Sequence, residues 1–250
     1  MLRTQELGET DLIVSLFALN HGKLRGVARA ARKSRRRFGG LLEPLTRVSV
    51  GWIEKPGRDL QSIDSMEGLR SFATMQSDPA VQAACAVVSE VTEVFAREGQ
   101  RDEKAFKLIG AILGALESGC DPWVAVRYFE YWMLLVHGLL PDLTACSGCG
   151  RSLSTRRTLR VDSHGDLRCS TCEQAGGGPG RPFGARERAF LEAARITGPS
   201  AMQIDPRTVR PGSGLAALLR GTLESFAEKR FRAYRHLSVA TGRTETEAGP

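Results

Sequence analysis

Six cysteines occur in 250 residues, and four fall into two Cys-x2-Cys pairs, Cys146-Ser147-Gly148-Cys149 and Cys169-Ser170-Thr171-Cys172, separated by nineteen residues. No other feature restricts the folding of this chain as tightly. Each pair makes a knuckle that turns two sulfurs toward one point, and the spacing is that of a zinc site. Leu159, Val161 and Leu167 flank a turn signal at His164-Gly165, so a hairpin can bring the knuckles together. Four thiolates then complete a tetrahedral shell around one Zn2+. That shell leaves no open coordination position, so the ion is structural rather than catalytic. Metal-free thiols and a disulfide or redox role are the competing readings. The first ten residues carry Arg3, Glu6 and Glu9 without an apolar stretch, which predicts no signal peptide and a cytosolic protein. That compartment disfavours disulfides. Cys85 lies on an apolar helical stripe and reads as a buried thiol, and Cys120 receives no role.

Charge is the second constraint. Of 35 basic and 28 acidic residues, eight basic ones (Lys23, Arg25, Arg29, Arg32, Lys33, Arg35, Arg36, Arg37) lie between His21 and Leu42 with no acidic neighbour. Outside that stretch the chain carries 27 basic and 28 acidic residues, so the block accounts for the whole positive excess. Cations without counter-charge repel one another and favour a polyanion, which points to phosphate binding rather than a merely solvated loop. With ~4 to 6 contacts on single strands, log K should fall against log[salt] with a slope of roughly −3 to −4. Aromatic support is thin: Phe38 lies in the block, and Trp52 reads as core. Base stacking needs several exposed rings, so backbone-directed, sequence-tolerant binding is expected.

The periodicities divide the chain. Asp11 to Leu19, Lys23 to Arg29, the alternation Val48/Val50/Trp52, and Leu60 to Asp64 read as short strands. Turns at Asn20-His21-Gly22 and Lys55-Pro56-Gly57 separate them, which suggests a small closed barrel. Asp78-Pro79 and Asp121-Pro122 are helix starts with a capping side chain followed by Pro. The first opens a helix closed by Gly99, a second runs from Asp102 to about Gly119, and the third carries Val126, Phe129, Trp132, Met133 and Val136. Helical spacing returns over 185–196 and from Gly214 to about Leu237. Residues 176–180 read as a flexible connector and the tail after Thr241 as frayed. The resulting division is 1–75, a β-barrel; 76–142, helical; 143–180, the cysteine insertion; 181–240, helical; and 241–250, a tail. No apolar run approaches the ~18 residues of a membrane span.

Leu7-Gly8-Glu9-Thr10-Asp11-Leu12-Ile13-Val14, Gly22-Lys23, Val27-Ala28, the basic run, and Phe38-Gly39-Gly40-Leu41-Leu42-Glu43-Pro44 together resemble the bacterial RecO family of DNA repair proteins. The helical middle and the four cysteines follow in matching order, so the resemblance covers most of residues 1 to 180. Leu7 stands where the family usually has Tyr, and the segment after Arg181 matches poorly. The resemblance implies an α+β protein with an N-terminal OB-fold β-barrel and a mostly helical C-terminal domain bearing a four-cysteine zinc-binding insertion. It implies a mediator of recombinational repair that binds single- and double-stranded DNA and anneals complementary strands. With RecR, such a mediator helps load RecA onto DNA coated by single-strand-binding protein, whose C-terminal tail is a further expected partner. The DNA-binding role carries to Lys23, Arg29, Arg32, Lys33, Arg35, Arg36 and Arg37, and the metal role to Cys146, Cys149, Cys169 and Cys172. A cytoplasmic, nucleoid-associated location follows.

Catalytic signatures are missing from the sequence. It holds no Gly-x4-Gly-Lys-Ser/Thr loop, no His-Glu-x2-His and no Gly-x-Ser-x-Gly. The histidines (His21, His137, His164, His236) are scattered, and Glu9 and Asp11 read as ion-pair partners of the basic arm. A non-enzymatic binding protein is the expectation. A zinc-ribbon transcription or RNA-binding factor is the rival reading, and a nuclease the second rival.

Overall fold

The computed structural model describes residues 1–34, 38–54, 57, 60–70, 77–153, 159–175 and 180–243. The chain forms two compact units, Met1–Lys107 and Leu108–Pro250. The basic triplet Arg35–Arg37, most of the 55–57 turn, the connector at 176–179 and the last seven residues lie outside the described residues.

The first unit is built on five strands, β1 (Arg3–Leu7), β2 (Asp11–Ala18), β3 (Gly22–Ala28), β4 (Arg47–Ile53) and β5 (Gln61–Arg70), in the order β1-β2-β3-β5-β4. Neighbours are antiparallel except β3 and β5, which run parallel through Gly26↔Gln61 and Val27↔Ser62. Met1 draws the outer strands together: its amine donates to the Thr46 carbonyl at 3.0 Å and its carbonyl accepts from the Leu45 N–H at 2.8 Å. This is the partly open Greek-key barrel of an OB-fold. Val14, Leu16, Ala28, Phe38, Ile63 and Met66 form its core, with Leu12, Leu24, Val48, Val50 and Trp52 packed against it. The period-2 rows seen in the sequence therefore face inward. At the parallel crossing Gly26 leaves room for the Ile63 side chain, whose Cδ1 would stand 2.6 Å from a Cβ there and would have to shift.

Strand β1 has no counterpart among the strands that the sequence pattern predicts. All five of its residues are exposed, so it carries no apolar alternation, and it forms because its backbone completes a hairpin with β2.

Helix α1 (Pro79–Phe95) starts at the predicted cap, where the Asp78 carboxylate accepts from Ala80 and Val81. It ends four residues before Gly99. Residues 97–99 instead pair with the start of β3, Lys23 N–H to Arg97 O at 3.0 Å and Gly99 N–H to Lys23 O at 3.3 Å. The unpaired strand edge offers those backbone groups better partners than another helical turn. α1 is also bonded to the barrel by the Ser89 hydroxyl, which donates to the Leu2 carbonyl at 2.7 Å. Helix α2 (Glu103–Glu117) carries the chain from the first unit into the second.

The second unit centres on α3 (Pro122–Val136), capped by Asp121 and almost wholly buried. A three-stranded sheet, β7-β6-β8 (β6 Leu159–Val161, β7 Leu167–Arg168, β8 Arg181–Phe183), and α4 (Ser170–Ala175) carry the second cysteine pair. Helices α5 (Ala185–Ile196), α6 (Pro206–Val209), α7 (Gly214–Phe226) and α8 (Ala233–Ala240) follow.

The single helix expected over 214–237 is in fact two. The Glu224 carboxylate, buried, accepts from Arg220, Arg230 and the Phe231 N–H at 3.0 Å each, and Glu228 turns to φ 51°. The break lets α8 present the Tyr234 hydroxyl to the Glu130 carboxylate of α3 at 2.7 Å. Among the described residues, no helix is long and apolar enough to cross a membrane.

Candidate nucleic-acid interface and metal centre

The structure divides the eight predicted cations into groups. Leu24 and Ala28 of β3 face the core, so Lys23 and Arg25 lie on the outer row. Helix α1 covers the Lys23 end of that row. The Lys23 ammonium donates to the Glu93 carbonyl at 3.0 Å, and Ser15, opposite Arg25, donates its hydroxyl to the Glu93 carboxylate at 2.5 Å. Both Lys23 and Arg25 are half-buried. Arg29, Arg32 and Lys33 sit at the far end of β3, on the segment that leaves the barrel. Arg35, Arg36 and Arg37 lie outside the described residues.

Local bonding gives the arm a fixed root. Ala30 adopts φ 55°, and its carbonyl accepts from the N–H groups of Lys33 and Ser34 at 3.1 and 3.0 Å. Its own N–H donates to Asp11 Oδ1 at 2.8 Å, which also accepts the Thr10 hydroxyl at 2.9 Å. The Ala30 N–H is the main reason the Asp11 carboxyl is held below the usual carboxylate range. Asp11 thus anchors the arm through its backbone, which differs from the expected ion pair. Arg32 instead pairs with Glu6 at 3.3 Å, both side chains well exposed, so the bridge is worth little. Among the described residues, Arg25, Arg29 and Lys33 make no ion pair.

The two aromatic residues nearest the arm in sequence are placed by the fold. Phe38 is 2% exposed and fastens the returning arm into the barrel core. Trp52 is half-buried against that core, its ring 4.8 Å from His21 and edge-on. A buried Phe38 and a half-buried Trp52 do not make a platform of several exposed rings, which leaves cationic contacts to dominate.

The four predicted ligand sulfurs converge in the second unit, all within 4.8 Å of one another. Thr144 to Leu153 forms a tight loop, with Leu153 N–H to Thr144 O at 2.7 Å and Cys146 N–H to Arg151 O at 2.9 Å. The hairpin turning at His164-Gly165 brings Cys169 alongside, and the Cys169 N–H donates to Cys146 Sγ at 3.3 Å. Cys172 comes from α4, which packs closely on Gly148: a Cβ there would stand 3.2 Å from Cys172 Sγ, tight enough that the sulfur would have to give by a few tenths of an ångström. The edge of a tetrahedron with ~2.3 Å metal–sulfur bonds is about 3.8 Å, and Cys149 Sγ lies 3.8 Å from Cys169 Sγ.

The protonation of the cluster is uneven. Burial raises the Cys146 thiol, but N–H groups of Cys169, Cys149 and Gly148 outweigh it and bring it down to about 6. Hydrogen bonding to Cys149 and Cys169 pushes Cys172 up to about 12. Four sulfurs this close cannot all ionise without a cation between them. The geometry is compatible with a structural metal. Cys85 is half-buried rather than fully buried as expected, and desolvation alone pushes its thiol up to about 12, which keeps it unreactive.

One buried polar constellation has no counterpart among the features that the sequence pattern predicts. Arg127 and Glu130, 1% and 0% exposed, pair at 2.6 Å inside α3. Tyr234 donates to Glu130, and the Arg127 Nε donates to the Val209 carbonyl at 3.3 Å. Two opposite charges three residues apart in an otherwise apolar helix were the available signal.

Comparison with known proteins places these features in a family context. The family model described as "Recombination protein O N terminal" matches residues 1–72, and that described as "Recombination protein O C terminal" matches residues 76–228. A protein named DNA repair protein RecO from Anaeromyxobacter sp. (strain K) is 34% identical over 239 residues, 95% of this chain and 93% of its own length. The protein of that name from Koribacter versatilis is 40% identical over 156 residues, 62% of this chain and 64% of its own length. That from Geobacter sulfurreducens is 32% identical over 198 residues, 79% of each chain.

Proposed function

The chain belongs to the RecO family of DNA repair proteins, and we propose that it acts there without catalysis, as a recombination mediator. It binds single- and double-stranded DNA through phosphates, anneals complementary strands, and with RecR helps load RecA onto DNA coated by single-strand-binding protein, whose C-terminal tail it contacts. The observation that carries this reading is the cationic arm rooted at one end of the barrel, with Arg29 and Lys33 free of ion pairs among the described residues. Arg32, Arg35, Arg36 and Arg37 complete the phosphate-binding set. Lys23 and Arg25 lie on the helix-covered side and contribute to the field rather than to contacts.

Annealing then follows from electrostatics. Cations that neutralise phosphates on two strands at once lower the repulsion that slows their encounter. No bond is made or broken in that step. Cys146, Cys149, Cys169 and Cys172 hold one Zn2+, the divalent ion that four thiolates in a small tetrahedral cage fit best. The ion ties the two knuckles together and supplies no reaction chemistry. The protein works in the bacterial cytoplasm, at the nucleoid.

The test is annealing of complementary oligonucleotides coated with single-strand-binding protein, with and without this protein, and with RecR added. Faster annealing is expected, and it should weaken when Arg35, Arg36 and Arg37 are all changed to Ala. A preference for RNA over both DNA forms in competition would favour an RNA-binding factor instead.

A further inference from the structure

Beside the root of the arm the outer surface of the barrel holds a cleft of about 390 Å3. It lies wholly within the first unit, at the end of the sheet away from α1. Leu12, Ala28 and Ile63 point into the core, so their neighbours Asp11, Val27 and Ser62 point outward, with Leu7 paired to Asp11 and Val27 to Ser62. Leu7, Val27 and Leu60 give the cleft apolar walls, Asp11 and Ser62 give it polar groups, and Arg29 stands on its rim. The volume is at the low end of small-ligand sites, enough for one nucleotide and far too little for a duplex.

The polar groups show which part of a nucleotide enters. Asp11 Oδ1 is already engaged by the Ala30 N–H and the Thr10 hydroxyl, whereas Oδ2 accepts no hydrogen bond among the described residues. An ionised carboxylate repels phosphate and accepts from amino groups. Arg29, at the mouth, attracts the phosphate that the interior rejects.

We propose that this cleft takes one unpaired base of a bound single strand, Asp11 Oδ2 accepting its exocyclic amino group and Arg29 holding the adjoining phosphate. The proposal rests on the DNA-binding reading above and adds a base preference to it. Cytosine, adenine and guanine carry the required amino group, whereas thymine presents carbonyl oxygens there. Cytosine against thymine is the cleanest comparison, since the two rings are nearly equal in size. Duplex DNA, its bases paired, binds through the arm alone.

The test measures anisotropy of labelled oligo(dC), oligo(dT) and a duplex at one salt concentration, with the full chain, Asp11→Asn and Ser62→Phe. The unaltered protein should favour oligo(dC) by about fivefold, the lower end of what a specific base contact contributes. Asn keeps an acceptor for the Ala30 N–H but offers thymine a donor, so Asp11→Asn should bring the dC/dT ratio to one or below. The loss of negative charge by itself would raise affinity for every DNA alike without moving that ratio, so the ratio reports the base contact and not the charge. Ser62→Phe fills the cleft and should weaken both single strands several-fold with no change for duplex. Equal binding of oligo(dC) and oligo(dT) by the unaltered protein, or an unchanged ratio in Asp11→Asn, overturns the base site while leaving the cationic arm standing. Failure of all three DNAs to bind overturns the DNA-binding reading and this proposal with it.

Discussion

Lys23 lies near the start of β3 and Arg29 just past its end, and exchanging each for an uncharged residue separates two roles that the sequence merges. The Lys23 ammonium meets the Glu93 carbonyl at 3.0 Å. Glu93 lies in the last turn of α1, where carbonyls lack intrahelical partners, and that turn carries no basic residue of its own. Lys23 therefore caps α1 from the sheet. A hydrogen bond to a charged donor is worth roughly 1.5–3 kcal/mol. Lys23→Met, which keeps the aliphatic bulk, should cost about 1.5 kcal/mol, at the low end of that range, because the group is only half-buried. Arg29→Gln and Lys33→Gln should cost almost no stability, since neither side chain makes an ion pair among the described residues and Arg29 acts on the Asp11 carboxylate only as a minor, longer-range attraction.

The order reverses for DNA. On single strands each lost phosphate contact lowers the salt slope by about 0.7. Over a fourfold rise in salt that amounts to about 2.6-fold in affinity per contact. Arg29→Gln and Lys33→Gln should each flatten the slope by that amount, and Lys23→Met should leave it unchanged. Urea unfolding, together with anisotropy titrations at several salt concentrations, reads both effects. A Lys23→Met variant of full stability whose slope falls by about 0.7 would refute the assignment of Lys23 to the helix-covered face.

Two other outcomes follow from the second unit. Purified protein should carry one zinc per chain by elemental analysis, and Cys146→Ser or Cys172→Ser should lose it, because three thiolates no longer close the shell; Co2+ exchanged into the site should show thiolate charge-transfer absorption. Glu130→Gln should destabilise the second unit by about 3–5 kcal/mol, because Arg127 is left buried without its counter-charge, whereas replacing both together by Arg127→Met and Glu130→Leu should cost much less in calorimetry or urea unfolding.

Much of this protein is written in short-range pattern. Alternation along β2 and β4 marks the barrel wall because neighbouring side chains on a strand point to opposite faces. Asp78-Pro79 and Asp121-Pro122 mark helix starts because a cap bonds backbone only two or three residues away. The cysteine spacing marks where four sulfurs converge because each knuckle is closed by its own backbone. These are interactions within a few residues, and the chain states them directly. Tertiary structure decided what depends on a distant partner. β1 exists because β2 lies beside it, and Phe38 leaves the basic block for the core because the barrel offers it a site. The Lys23 ammonium is held at the end of a helix seventy residues further along, and α7 breaks from α8 so that Tyr234 can reach Glu130. A residue's charge is fixed by its type, but whether that charge faces solvent, a phosphate or a helix end is settled only when the chain has folded around it.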